Sequence, residues 1–266
     1  MINCTYIQTT LHGNSSPCPI DVLRDILEHV RKADLSTLCR VNKIFCSCSQ
    51  DVLYREIVYE DAHVILTLAR STDLARRVRS IHTPSDSPEL GTALRNMSSL
   101  RGLNIERIND ISILDGCTFK LNTIFCYQPN SKSFQQFLNS QPSLMNVVLF
   151  ADYDPSPPFD ERCLPNLTKV MATYTWLDTI IPGRPVTDVV VLGFWPKTID
   201  MSFFTFSTGP IHSLKIAYVN IYPTPESHLA SIFPSIANLV LGAYGLNRSV
   251  RRHLTVRCTH EEFKLS

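Results

Sequence analysis

The apolar positions of this chain change period once, near residue 60. Before it they recur at three- and four-residue steps, the spacing of one helix face. Val22, Leu23, Ile26, Leu27 and Val30 form the first such set. Pro19 suits a first helical turn, where its missing N–H costs nothing, and Asp21 and Asp25 complement the positive end of the helix dipole. Asp34 is the expected N-cap of a second helix that buries Leu35, Leu38, Val41 and Phe45. A third segment holds Val52, Leu53, Tyr54 and Ile57, and Asp61 to Arg79 reads as a connecting helix. Three short helices make too small a core to stand alone, so spare apolar surface is expected to dock on a partner.

Beyond residue 60 an apolar-x-x-apolar-x-small or apolar motif repeats. It occurs at Val78-Ile81-Thr83, Leu100-Leu103-Ile105, Leu121-Ile124-Cys126 and Leu144-Val147-Leu149. It continues at Leu167-Val170-Ala172, Val186-Val189-Val191, Ile211-Leu214-Ile216 and Ile236-Leu239-Leu241. First members lie 22, 21, 23, 23, 19, 25 and 25 residues apart, inside the leucine-rich-repeat period. The Asn that often closes such repeats is not regularly placed, so the array is LRR-like and divergent. Each unit predicts one short strand whose first, fourth and sixth motif positions point inward. The positions between them form an inferred concave face: Asn104 and Glu106, Phe125 and Tyr127, Val148 and Phe150, Lys169 and Met171, Val190 and Leu192, then Lys215 and Val240. Phe125, Tyr127, Phe150, Met171 and Leu192 make an apolar stripe there, the candidate target-binding site.

The returns between strands are mixed. Glu89-Leu90, Ala93-Leu94 and Met97 have helical spacing, as do Phe134, Phe137 and Leu138, and Leu229, Ile232 and Phe233. Pro155, Pro157 and Pro158 exclude a regular helix over 152–165, and Pro182-Gly183 with Pro185 marks a turn. Arg251 to Ser266 offers a modest terminal cap through Leu254, Val256 and Phe263.

A hydrophobic content of 44% allows a sizeable core, and a net charge of +1 gives no bulk attraction to nucleic acid or membrane. Arg76-Arg77-Arg79 and Arg251-Arg252 read as solvated faces or element ends. No 18-residue apolar run occurs, and no signal peptide is expected from residues 1–16. The nine cysteines include no Cys-x-x-Cys pair; several sit in apolar patterns, which points to a reducing, intracellular compartment, cytoplasmic and/or nuclear. There is no Gly-rich phosphate loop, no His-Glu-x-x-His and no Gly-x-Ser-x-Gly. His260-Glu261-Glu262 reads as a solvated polar tail, and Asp152-Tyr153-Asp154 lacks the further regularly spaced oxygen ligands a cation needs. The expectation is therefore a non-enzyme, with no catalytic residues, no cofactor and no metal.

The stretch from Pro19 to Ile57 resembles an F-box. Cys18-Pro19-Ile20-Asp21-Val22-Leu23 fills its opening, Val41-Asn42-Lys43-Ile44-Phe45 its middle, and Leu53-Tyr54-Arg55-Glu56-Ile57 its close. Cys18, Asn42 and Tyr54 depart from the usual Leu, Cys and Trp. The implied class is α/β: a flexible tail over 1–16, a three-helix F-box over 17–60, and an LRR-like solenoid with a parallel sheet over 61–266. The resemblance implies the substrate-recognition subunit of an SCF-type cullin–RING ubiquitin ligase. Its partners would be a Skp-family adaptor, through it a cullin, and a protein target, with no nucleic acid and no membrane. The implied adaptor-facing residues are Pro19, Ile20, Leu23, Ile26, Leu27, Leu38, Val41, Leu53 and Tyr54. The alternative is a non-catalytic interaction scaffold with a helical cap and no ligase role.

Overall fold

The computed structural model describes residues 18–58, 62–84, 86–108, 110–127, 132–150, 159–160, 162–192, 201–216, 234–244 and 251–257. The chain forms two compact units, which divide after Leu53.

The first unit holds three helices, α1 (Ile20–Glu28), α2 (Lys32–Leu38) and α3 (Lys43–Leu53). Leu23 and Leu27 of α1, Leu35 of α2 and Cys48 of α3 are its buried centre; Val30, Leu38, Phe45, Val52 and Leu53 pack around them. The expected cap of α2 is displaced. The helix starts at Lys32, and Asp34 instead accepts a hydrogen bond from the Arg31 guanidinium at 2.8 Å. The second helix also stops at Leu38, so Val41 is exposed and Phe45 belongs to α3. Asn42 causes the break. Its side-chain oxygen accepts from the backbone N–H groups of Ile44 and Phe45 at 2.9 and 3.0 Å, capping α3. Asn42→Ala is expected to cost this unit about 1 kcal/mol. Hydrogen exchange at the Ile44 and Phe45 amides should speed up accordingly, and unchanged exchange would contradict the cap.

The second unit is built on a ten-stranded sheet whose strands lie side by side in chain order. They are β1 (Glu56–Val58), β2 (Ser80–Thr83), β3 (Gly102–Ile105), β4 (Thr123–Tyr127) and β5 (Asn146–Phe150). Then come β6 (Lys169–Thr173), β7 (Asp188–Leu192), β8 (Ser213–Ile216), β9 (Asn238–Tyr244) and β10 (Arg251–Arg257). The first nine are parallel, and β10 runs antiparallel beside β9. In all eight predicted motifs the fourth and sixth positions fall on strands β2 to β9, and the first lies two residues before its strand. Their fourth positions are direct partners, Ile81, Leu103, Ile124, Val147, Val170, Val189, Leu214 and Leu239, a single buried row across the sheet.

The step from strand to strand is also repeated. The carbonyls of Arg55, Arg79, Arg101, Asn122, Met145, Thr168, Thr187 and His212 each accept two successive N–H groups of the next turn, at 2.7–3.1 Å. That arrangement satisfies the backbone where the chain leaves the ladder and holds every unit in register with its neighbour.

Helices α4 (Ala62–Arg70), α5 (Thr72–Ala75), α6 (Pro88–Asn96), α7 (Lys132–Asn139) and α8 (Tyr174–Ile180) occur between strands. The single helix expected over Asp61–Arg79 is two, because the Ser71 hydroxyl accepts from the Leu74 N–H and starts α5. Helices α6 and α7 occur where the spacing predicts them, and Gly183 takes the positive φ of +77° that its turn requires. Helix α8 and strand β1 were not expected. Residues 54–58 also leave the helical block: Ile57 pairs with Ile81, and Tyr54 packs on the sheet core. The expected helix at Leu229, Ile232 and Phe233, most of the proline-rich return, and Phe263 lie outside the described residues. The proposed cap residues Leu254 and Val256 fall on β10.

Behind Pro182 the fold buries a charge. Arg184 is fully buried and donates to the carbonyls of Asp160 (2.7 Å), Cys163 (2.9 Å), Ile180 (2.9 Å), Pro182 (2.6 Å) and Thr179 (3.4 Å). Its guanidinium also lies 5.8 Å from the Phe159 ring centre. One side chain thus ties the return before β6 to the end of α8.

Candidate functional site

Two surfaces carry the candidate residues, one on each unit. On the helical unit the nine adaptor-facing candidates separate by burial. Leu23 and Leu27 are core, and Leu38 and Leu53 pack against that core. Tyr54 belongs to the other unit. These five side chains pack within the chain itself. Pro19, Ile20, Ile26 and Val41 are exposed.

Val22 and Ile44 join them. Ile20, Val22, Ile26, Val41 and Ile44 are each between 47% and 59% exposed, far above an ordinary core residue. The reason is geometric. The apolar positions of α1 spread over nearly half its circumference, and the core takes only the part with Leu23 and Leu27. Val22 and Ile26, one turn apart, flank that side and face water. The four-residue spacing from Ile26 is the sequence signal that adds Val22 to the exposed set. Asp21 pairs with Arg24, and Arg24 reaches Asp51 at 3.4 Å, joining α1 to α3 beside the core.

On the sheet unit, inward and outward positions alternate as predicted. The open face has three rows. Ser80, Gly102, Thr123, Asn146, Lys169, Asp188 and Ser213 make a polar row. Next comes His82, Asn104, Phe125, Val148, Met171, Val190 and Lys215, apolar in its middle. Tyr127 and Phe150 pair in the third row, which also holds Thr173 and Leu192. The predicted stripe therefore spans two rows. Phe150 is its hub: its ring centre lies 5.1 Å from Tyr127, stacked, and 5.5 Å from Phe125, tilted. Tyr127 is exposed, while Phe125, Phe150 and Met171 are half-buried. Leu192 is the exception. It lies on this face by register but is only 9% exposed, so it contributes little contact area.

The polar end of the face carries His82 and Glu106, 3.5 Å apart. Cys126 and Cys117 pack into or against the core of the sheet unit. Burial pushes the Cys126 thiol up to about 12 and Cys117 up to about 11, so both are neutral at ordinary pH and are poor nucleophiles. The seven described cysteines are free thiols. Among the described residues no group of three His, Cys, Asp or Glu side chains is placed to hold a metal ion. The clusters Asp152-Tyr153-Asp154 and His260-Glu261-Glu262 lie outside the described residues. No described helix is long and apolar enough to cross a membrane.

No family model matches the sequence, and no curated protein shows significant similarity to it.

Proposed function

We propose that this chain couples two proteins: a Skp-family adaptor on the helical unit and a target on the sheet unit. In this reading it is the substrate-recognition subunit of an SCF-type cullin–RING ubiquitin ligase. The carrying observation is that the helical unit closes a core of its own and still leaves five large aliphatic side chains about half in water. Exposed apolar surface of that kind on so small a unit marks a docking site. The order of the blocks in Pro19–Ile57 matches the F-box pattern, which makes the adaptor the favoured occupant.

The sheet unit supports the second half. Its parallel strands in chain order, its continuous buried row and its repeated carbonyl step favour the LRR-like solenoid reading. The aromatic group of Phe125, Tyr127 and Phe150 on the open face then offers the anchor for a protein target. The chain itself performs no bond chemistry in this account. It raises the effective concentration of the target near a separate conjugating enzyme.

Ile26→Asp with Val41→Asp is expected to lower adaptor retention in co-purification at least about tenfold, with the circular dichroism spectrum unchanged, because a charge placed in a desolvated contact is costly. Leu27→Asp is a poor probe, since it puts a charge into the small core. Full adaptor retention by the folded double variant would contradict this docking surface. Failure of the wild type to retain the adaptor would remove the ligase reading.

A further inference from the structure

The turns that lead into the strands form one edge of the sheet unit, and the turns before β2, β3 and β4 put a line of cations there. Arg79 and Arg101 occupy the same position in consecutive repeats, immediately before the paired residues Ser80 and Gly102. Each side chain lies along the edge and donates one bond to the next turn: Arg79 to the Ser99 carbonyl at 3.3 Å, Arg101 to the Lys120 carbonyl at 3.0 Å. Lys120 extends the series with a bond to the Ser140 carbonyl at 3.2 Å. Arg76 is exposed in the turn leading to Arg79. No carboxylate among the described residues pairs with Arg79, Arg101 or Lys120.

From this geometry we infer that the edge holds an acidic, extended segment of the target whose neighbouring apolar residue sits on the aromatic face. The inference rests on the sheet unit being the target-binding half of the proposed coupler. Three features favour carboxylates on a peptide over other anions. Neighbouring strands are about 4.8 Å apart and same-side residues of an extended chain about 6.6 Å apart, a difference that long Arg and Lys side chains can span, so cations on successive repeats can each meet a separate acidic side chain of one strand-like segment. The cations are strung along the edge, each tethered to a different turn, and do not converge on one point as a phosphate pocket would. The whole chain carries a net charge of only +1, which gives a long nucleic acid little to hold. Along the strands, the edge is followed by the polar row and then by the row of Phe125, within reach of the same segment.

The test uses the full chain and two fluorescein-labelled twelve-residue peptides. One alternates Glu with Ala and ends in Leu-Phe; the other has Gln in place of Glu. Fluorescence anisotropy should show binding of the Glu peptide only, weakening several-fold as salt rises from low to physiological strength. Arg79→Glu with Arg101→Glu should weaken it at least about tenfold, while Lys215→Glu, at the far end of the face, leaves it within about twofold. Equal binding of both peptides, no response to the double variant in a protein that stays folded, or tighter binding of a labelled RNA duplex than of the Glu peptide would each overturn the proposal. Adaptor co-purification is independent of this result, so failure of the edge is distinguishable from failure of the coupler reading.

Discussion

Arg184→Ala is expected to lower the stability of the sheet unit by about 3–5 kcal/mol, because it leaves several buried carbonyls without a donor. The side chain is fully buried and serves five carbonyls from two segments. Its loss strands those carbonyls in a dry site, and each unsatisfied group costs about 1–3 kcal/mol unless water enters. Arg184→Lys should recover little, because an ammonium offers three donors from one point and the guanidinium offers five in a planar fork. Trp176, buried in α8, gives the fluorescence signal. With a urea slope of about 2 kcal/mol/M, the unfolding midpoint should fall by roughly 1.5–2.5 M. A midpoint within experimental error of the wild type would show that Arg184 is not a staple.

The second large effect separates the two sides of the sheet. Ile124→Ala is expected to cost about 2–5 kcal/mol, as large-to-small changes in packed cores do. Phe125→Ala, one residue further on, should cost only about 1 kcal/mol, mainly its ring contact with Phe150. Ile124 is buried in the row that runs across the sheet, whereas Phe125 is on the open face. Thermal unfolding of both variants checks the order. If Phe125→Ala is the more damaging change, the aromatic group is core and the proposed target surface disappears.

The repeat pattern was legible because strand geometry enforces it. Alternation along each strand and in-register stacking leave the fourth motif position no freedom, so the row from Ile81 to Leu239 is written directly into the spacing. Strand β1 escaped because its three residues offer one inward side chain, Ile57, too little to show a period. The break between α2 and α3 was missed for the opposite reason. Leu38, Val41 and Phe45 keep a helical spacing across Asn42, and only the cap bonds from its side chain reveal a new helix. Arg184 was hidden in a Pro-Gly-Arg-Pro turn, where a charged residue normally points to water.

The candidate adaptor site was half legible. An apolar helix position can serve the core or a partner, and the two uses look alike in sequence. What separates Leu27 from Ile26 is which side of α1 its own neighbours cover, and that depends on the packing of α3. The aromatic stripe was more fully legible, because register alone assigns its face; only Leu192 departs, through burial at the end of β7.

In the proposed function the helical unit delivers this chain to a ligase. The most direct measurement is affinity purification of the tagged full chain from cells, probed for a Skp-family adaptor and a cullin together, beside the Ile26→Asp and Val41→Asp double variant. Both proteins are expected with the wild type and neither with the variant. Adaptor without cullin would contradict the ligase role and leave a scaffold, and the absence of both from the wild type would contradict the coupler itself.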